Sequence, residues 1–333
     1  MSKKFITLGT LTILTIIVTL GLWQLAGNGA DRGDRIRVVA SFYPLAYLAQ
    51  EIGGDAVDVK SLVPYNSEVH SWQPSISDVL AAEEADIIVY NGAGLDLWFE
   101  EDMLPSLETS GKLIIETTEG IELIESQEGD GHAHDQEDGQ SHDEEHEHAQ
   151  DLHDPHTWLS PYIAGKQAEK IFQALVETDP ENEDLYRDRW TELKERLEGI
   201  DTDFITQLSQ KGKDDIFVTH SAFGYLAERY GFHQHGVIGL SADEQPSIST
   251  IEELVMQMEE KGIFTIYVDP IYSDDYAQTL KGTLEKRTGE EVQILKLYFM
   301  LGPIDGKDYI QQQQTNLINL KIGLDATGDS DGR

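Results

Sequence analysis

Short apolar runs alternate with amphipathic segments along most of this chain of 333 residues. A run such as Ile36–Phe42 is apolar at most positions, which is typical of a strand covered on both faces of a parallel sheet. Segments with apolar residues every three or four positions predict the helices between these runs. The predicted strands are Ile36–Phe42, Val57–Val63, Asp86–Tyr90, Lys112–Glu116, Asp215–Thr219, Gly236–Leu240, Phe264–Asp269 and Val292–Leu297. The predicted shorter helices are Pro44–Ile52, Ile76–Ala85, Leu95–Met103, Tyr162–Val176, Ala222–Tyr230, Thr250–Lys261, Ser273–Thr288 and Tyr309–Gly323.

One periodic segment is much longer than the others. It runs from Glu181 to about Gln210, directly after Pro180. A helix of about thirty residues would be about 45 Å long and would act as a stiff strut. Because strands and helices alternate on both sides of it, we predict an α/β protein with two (β/α) lobes, each containing a parallel sheet, bridged by one long rigid helix. The predicted boundaries are residues 31–178 for the first lobe, 179–212 for the helix and 213–333 for the second lobe.

The pattern of the first 30 residues predicts that the protein is exported from the cytoplasm. Lys3 and Lys4 precede a largely apolar stretch from Phe5 to about Ala26. This pattern fits either a cleaved signal or an N-terminal membrane anchor, since the stretch is long enough to span a bilayer. Either alternative places the rest of the chain outside the cytoplasm, at the cell surface or in the periplasm.

Composition narrows the classes of function. The 39% hydrophobic content supports packed cores, and a formal net charge of −38 argues against a nucleic-acid partner, which would need a basic face. The acidity fits a protein that handles cations, and it equally fits adaptation to a saline habitat or high solubility. The absence of cysteine excludes disulfides and thiolate metal sites.

Three histidines far apart in sequence point to a metal site: His70 in SEVHSWQPS, His156 in DPHTWLSP and His220 in VTHSAFGYLAERYG. Ligands of α/β proteins bind beyond the carboxyl ends of the strands, where His70 and His220 are predicted to lie. Three imidazoles and one oxygen form an ordinary tetrahedral zinc set. An open fourth position would suit a receptor that exchanges its ion, or a zinc-dependent hydrolase that activates water. The chain lacks HExxH and a general base at a short fixed spacing, which disfavours the hydrolase.

The segment 129–154 consists almost entirely of His, Asp, Glu, Gly and Gln. It is either a low-affinity zinc collector or a solvated insert that binds metal incidentally. Its last residues, His153 and Asp154, are candidates for orienting His156 through a hydrogen bond. His233 and His235 could chelate a metal, but a surface turn is the favoured interpretation. The carboxylates of Asp243, Glu244 and Asp269 are interpreted as rim or docking residues.

Several blocks resemble the zinc- and manganese-binding receptors of ABC importers: SFYPLAYLAQEIGG, SEVHSWQPS, ADIIVYNGAGLDLWFE, DPHTWLSP and THSAFGYLAERYG. The resemblance extends from Ile36 to about Leu324. It implies that the protein is not an enzyme, that one ion lies between the lobes, and that the ion passes to a membrane permease driven by a cytoplasmic ATPase. We expect a monomer.

The resemblance places His70, His156 and His220 at ligand positions. A histidine at the third position favours Zn²⁺ over Mn²⁺, although a manganese receptor of the same family remains an alternative. The fourth position departs from the family pattern, because Tyr298 stands where an Asp or Glu is common. The candidates for the fourth ligand are Asp305, Glu68 and a water molecule.

Overall fold

Two parallel four-stranded sheets organise the computed structural model, which describes residues 35–125, 153–240 and 246–326. The first sheet contains β1 (Ile36–Ala40), β2 (Val57–Ser61), β3 (Ile87–Tyr90) and β4 (Leu113–Glu116). The second contains β5 (Asp215–His220), β6 (His233–Ile238), β7 (Thr265–Val268) and β8 (Gln293–Lys296). The strand orders are β2-β1-β3-β4 and β6-β5-β7-β8, so the two sheets share one topology. The predicted fold class is confirmed.

Helices connect the strands and pack on the sheets. They are α1 (Tyr43–Gly53), α2 (Ile76–Glu83), α3 (Pro161–Thr178), α4 (Glu183–Gln207), α5 (Gly224–Tyr230), α6 (Ile248–Lys261), α7 (Asp275–Thr288) and α8 (Tyr309–Gly323). The predicted helix Leu95–Met103 differs: a π-helical segment, Trp98–Met103, continues into a 3₁₀ turn, Leu104–Ser106. The Asp96 carboxylate accepts the backbone N–H groups of Asn91 at 2.6 Å and Gly92 at 2.9 Å, which folds the residues before Trp98 into a turn.

The long helix α4 contains 25 residues and is therefore about 37 Å long, shorter than predicted. It begins later because Pro180–Asn182 forms a 3₁₀ turn. Its buried residues recur at helical spacing and pack against α3, α1 and α8. These residues are Tyr186, Trp190, Leu193, Leu197, Ile200 and Phe204.

One continuous apolar core links the two sheets. It includes Val38 and Val89 of the first sheet, Leu193 of α4, and Val218 and Leu297 on the side of the second sheet. A smaller cluster lies elsewhere in the second lobe, between its sheet and helices α6 and α7. Because separating the sheets would expose the shared core to water, we expect only modest movement between the lobes. The lobe boundaries given above stay a prediction.

The segment GFHQHG corrects one sequence interpretation. It is not a surface turn, since β6 begins at His233 and pairs with β5, with Asp215 opposite His233. The Asp215 carboxylate also lies 2.6 Å from Nε2 of His235 and 3.0 Å from Nζ of Lys261, which fixes the start of the strand.

Three sequence predictions fall outside the described ranges. They are the export segment 1–30, the rim carboxylates Asp243 and Glu244, and most of the histidine-rich segment, including His132, His134, His142, His146 and His148. Within residues 35–125, 153–240 and 246–326, no helix combines the length and apolar character needed to cross a membrane.

Candidate metal site

His156 is held in a rigid turn between the lobes. Its backbone N–H and its ring Nδ1–H both donate to Oδ1 of Asp154, at 2.9 and 2.8 Å. With Nδ1 carrying the proton, the lone pair of Nε2 is left to bind a metal. The orienting role predicted for Asp154 is therefore supported by its geometry. His153, by contrast, is exposed and forms a β-bridge with Glu125, away from this role.

The turn around His156 is fixed on both sides. Nδ2 of Asn91 donates to the Pro155 carbonyl at 3.0 Å, and the Thr157 hydroxyl donates to Oδ1 of Asn91 at 3.0 Å. On the other side, Nε1 of Trp158 donates to the Phe299 carbonyl at 2.8 Å. Asn91 follows β3 of the first sheet and Phe299 follows β8 of the second. The imidazole is thus positioned by both lobes at once.

His220 is the last residue of β5, at the carboxyl edge of the second sheet. Its Nε2 lies 2.8 Å from the Leu240 carbonyl, which assigns the proton to Nε2. Its Nδ1 is buried and has no hydrogen-bond partner among the described residues. A buried acceptor without a partner is costly unless something binds it, and a metal ion would do so.

His70 lies in the loop after β2, where the Glu68 carboxylate fixes the backbone. Oε1 of Glu68 accepts the N–H groups of Val69 at 2.8 Å and His70 at 2.9 Å. Nε2 of His70 is 3.3 Å from Nε2 of His156. Two nitrogens bound to one zinc ion at about 2.0–2.1 Å with a tetrahedral angle lie about 3.3 Å apart.

The three histidines predicted as ligands thus come together from distant parts of the chain. One ligand atom from each lies within 4.8 Å of the others, and their ring centroids are 5.1–6.0 Å apart. His156 and His220 are buried, whereas His70 is half-buried. That these side chains coordinate an ion stays a prediction.

Burial keeps the two inner histidines neutral. Desolvation lowers the pKa of His156 to about 3. Desolvation, together with the neighbouring His156, also lowers the pKa of His220 to about 3. Burial raises the pKa of Asp154 to about 7, although N–H groups donated by His156 and Gly224 and the charge of His70 act in the opposite direction. Neutral imidazole is the form that binds metal, so these two ligands need no deprotonation at physiological pH.

The two carboxylates considered for the fourth position have different surroundings. Glu68 lies beside the site, and its Oε2 accepts a hydrogen bond from the Tyr272 hydroxyl at 2.5 Å. Burial alone would raise the pKa of Glu68, but His70 and the Tyr272 hydroxyl lower it below its usual value. Asp305 instead pairs with Lys296 at 2.5 Å and accepts the Tyr298 hydroxyl at 2.7 Å. Neither Glu68 nor Asp305 is among the described residues whose ligand atoms gather with the histidines.

Sequence reasoning missed Phe299, the residue directly after Tyr298, where a fourth carboxylate was sought. Its ring centroid is 5.0 Å from that of His220 and 6.4 Å from that of His156. Asp269, predicted at the rim, is instead buried at the end of β7 and accepts the N–H groups of Ile271 and Phe299. It positions the Phe299 backbone, and the apolar Phe299 ring packs against the His220 imidazole. The sequence feature that could have indicated this positioning role is the location of Asp269 at a strand end, directly before Pro270.

An open cavity of about 380 Å³ lies on the second-lobe side of the site. His220, Tyr272, Asp275 and Tyr276 are among the residues that line it. The cavity therefore provides a route to His220 from the solvent.

This protein has two similar α/β lobes with three histidines gathered between them, which is the arrangement of metal-ion solute-binding receptors. The model of the family described as zinc-uptake complex component A, periplasmic, matches residues 38–323. The chain belongs to this family. The family is one of transport receptors that work outside the cytoplasm, so the protein is not an enzyme and the hydrolase alternative is set aside.

Individual relatives agree with this assignment. The chain is 33% identical to the high-affinity zinc uptake system protein ZnuA of Bacillus subtilis, over 93% of this chain and 94% of that protein. It is 28% identical to the zinc-binding protein AdcA of Streptococcus pyogenes serotype M3, over 96% of this chain but only 62% of that longer protein. Its structure resembles the Zn(II)-bound ZnuA-like domain of Streptococcus pneumoniae AdcA, with a TM-score of 0.69 and 27% identity over 87% of this chain and 99% of that one.

Proposed function

We propose that His70, His156 and His220 hold one Zn²⁺ ion between the lobes, and that the protein captures this ion outside the cytoplasm for import. The observation that carries the proposal is the convergence of three imidazoles, with two Nε2 atoms 3.3 Å apart. That separation suits two corners of a zinc tetrahedron. The relatives whose names include zinc support the choice of metal.

The donor set favours zinc over manganese. Mn²⁺ prefers carboxylate, carbonyl and water oxygens, whereas imidazole suits Zn²⁺. Among the described residues, the carboxylate of Glu68 interacts with His70 and His220, and the apolar Phe299 ring lies 5.0 Å from the His220 ring. We assign the fourth position to Glu68 or water, and this choice decides how readily the ion exchanges.

Release requires loosening contacts that cross the site. The Tyr272–Glu68 hydrogen bond joins the second lobe to the His70 loop, and the Trp158–Phe299 bond joins the His156 turn to the segment after β8. His70 is the only half-buried ligand among the three, so its loop is the part most easily displaced. We infer that the protein hands the ion to the permease of an ABC importer through movement of this loop, while α4 keeps the lobes together.

Titration calorimetry with Zn²⁺ and Mn²⁺ tests the proposal. The purified protein should show one tight zinc site and weaker binding of manganese. The triple variant His70→Ala, His156→Ala, His220→Ala should lose the tight site. A matched variant, His153→Ala, His233→Ala, His235→Ala, removes the same number of histidines outside the cluster and should retain it. Tight binding that survives in the first triple variant would overturn the site assignment, and stronger binding of manganese would overturn the choice of metal.

A further inference from the structure

Gly224, the first residue of α5, lies against the carboxylate that orients His156. A Cβ atom added to Gly224 would overlap Oδ2 of Asp154. The other atoms nearest to that Cβ, Nε2 of Gln234 and Cγ of Asp154, would be 3.5 and 3.6 Å away, which is ordinary van der Waals contact. The Gly224 N–H also donates a hydrogen bond to the Asp154 carboxylate. A side chain at position 224 is therefore opposed mainly by one oxygen atom, and that atom belongs to Asp154.

The backbone does not require a glycine at this position. The φ angle of Gly224 is not positive, so an alanine can adopt the same conformation. Alanine is also the better helix former of the two. The close approach of Asp154 therefore explains the glycine, and a Gly224→Ala substitution would displace the carboxylate rather than strain the helix.

The next residue, Tyr225, holds the main chain of Asp154. The buried Tyr225 hydroxyl donates to the Asp154 carbonyl at 2.6 Å and accepts the Ile124 N–H at 3.4 Å. The Asp154 N–H in turn donates to the Ile124 carbonyl at 2.9 Å. One hydroxyl thus joins the two chain segments that flank residues 126–152, and it does so at Asp154.

The helix that carries Gly224 and Tyr225 is itself fixed at both ends. Before it, the Phe223 N–H donates to Oε1 of Gln234 in β6 at 2.9 Å. Near its end, Nε and Nη2 of Arg229 donate to the two carboxylate oxygens of Asp201 in α4, each at 2.6 Å. Because α5 is tied to β6 and to α4, it provides a firm support for Asp154.

We propose that Gly224 and Tyr225 are positioning residues for zinc binding, which hold the side chain and the main chain of Asp154 and through them the His156 imidazole. Oδ1 of Asp154 accepts both the backbone N–H and the Nδ1–H of His156. A displaced carboxylate would therefore turn the imidazole and move its Nε2 away from the ion, since ligands must be held in one orientation to bind tightly. This inference rests on the proposed function.

Zinc affinity of the Gly224→Ala and Tyr225→Phe variants, measured by chelator competition, tests the inference. One control, Gly282→Ala, adds a Cβ in α7 that meets no atom within 4 Å. The other, Tyr230→Phe, removes from α5 a hydroxyl that donates to Asp201 at 2.8 Å. We expect Gly224→Ala to bind zinc about 10- to 100-fold more weakly and Tyr225→Phe about three- to tenfold more weakly. Both controls should stay within twofold of the wild type.

A double-mutant cycle with Asp154→Ala separates positioning from a general loss of stability. Without the carboxylate, a Cβ at position 224 has room, so adding Gly224→Ala to Asp154→Ala should change zinc affinity less than twofold. Equal losses in the two backgrounds would overturn the role of Gly224.

The Nδ1–H proton of His156 gives a second readout, in the metal-free protein. Its NMR resonance is recorded with ¹⁵N-labelled histidine and assigned by its absence from a His156→Ala variant. The resonance should shift or disappear in Gly224→Ala and Tyr225→Phe and stay in place in both controls, and an unchanged resonance in Tyr225→Phe would overturn the role of Tyr225.

The outcomes for the wild type separate this inference from the proposed function. A wild-type protein that lacks a tight zinc site would overturn the proposed function and this inference with it. A wild-type protein that binds zinc tightly, with Gly224→Ala within twofold of it, would overturn the positioning role alone.

Discussion

Replacing Asp154 by Asn should weaken zinc binding while leaving the fold intact. In the native protein Oδ1 of Asp154 accepts two N–H groups of His156, and the carboxylate also accepts the N–H of Gly224. Both carboxylate oxygens thus act only as acceptors. An Asn side chain has one acceptor oxygen and one NH₂ group, so it must turn a donor toward another donor. It also removes the charge that strengthens the imidazole as a ligand.

The structure sets the size of the effect. An ion at Nε2 of His156 would lie roughly 7 Å from Oδ1 of Asp154, across the ring and one zinc–nitrogen bond. At an effective dielectric constant of about 20, a unit charge at that distance attracts a divalent ion by about 5 kcal/mol, which is an upper bound. Removing such a hydrogen-bonded partner of a ligand ordinarily weakens metal affinity about 10- to 100-fold. We therefore expect a loss of about 1.4 to 2.7 kcal/mol in binding free energy.

Competition with a chromophoric zinc chelator measures this loss. The matched control is Asp215→Asn, which alters a second Asp–His pair, 2.6 Å from His235 and outside the histidine cluster. Its zinc affinity should equal that of the wild type. An Asp154→Asn variant that is folded and binds zinc within twofold of the wild type would refute the orienting role of Asp154.

The pH dependence of zinc affinity gives a second test of the role of Asp154. Because burial raises the pKa of Asp154 to about 7, the metal-free protein takes up a proton there as pH falls below 7, and zinc binding must release it. The ionised Asp154 carboxylate makes its full contribution to zinc affinity above pH 7. Below pH 7, zinc affinity falls about tenfold per pH unit because this carboxylate is protonated in the metal-free protein. His156 and His220, with pKa values of about 3, add no such loss in that range. The log-affinity slope of wild type should therefore exceed that of Asp154→Asn by about one between pH 5 and 6.5, and equal slopes would contradict this assignment.

Further substitutions probe the rest of the site and the fold. Tyr272→Phe removes a hydrogen bond to the Glu68 carboxylate and should speed zinc release in stopped-flow mixing about tenfold, whereas unchanged release would show that this contact does not retain the ion. Asp305→Asn should leave zinc affinity within twofold of wild type, because Asp305 pairs with Lys296; a tenfold loss would identify it as a ligand. Leu193→Ala on the fully packed side of α4 should lower the free energy of unfolding in urea by about 2–5 kcal/mol, and a loss under 1 kcal/mol would mean that the long helix does not join the two lobes through its core.

The alternation of apolar and periodic segments was enough to predict the two-sheet plan and most of the strands and helices, with Leu95–Met103 an exception among the helices. The strands carry their own signal, since those buried on both faces consist of apolar residues. The edge strand β6 was placed too late because its first residues, His233 to His235, are polar and partly solvent-facing. Their place in the sheet depends on pairing with β5 and on Asp215, which no local pattern reveals.

The candidate site was predicted only in part. His70, His156 and His220 were found because histidine in strand-end loops is a specific chemical signal. Phe299 and the buried Asp269 were not assigned their roles, because those roles arise where the segment after β8 crosses toward the site. The tautomers of His156 and His220 likewise depend on Asp154 and the Leu240 carbonyl, and contacts of this kind exist only in the folded chain.

The most direct test of the central claim is a crystal structure of the zinc-loaded protein with anomalous data collected on both sides of the zinc edge. We predict one strong zinc peak bound at about 2.0–2.1 Å by Nε2 of His70, Nε2 of His156 and a ring nitrogen of His220. We further predict Nδ1 for His220, because Nε2 is held by the Leu240 carbonyl. A fully occupied zinc ion elsewhere, with these three imidazoles unbound, would contradict the account.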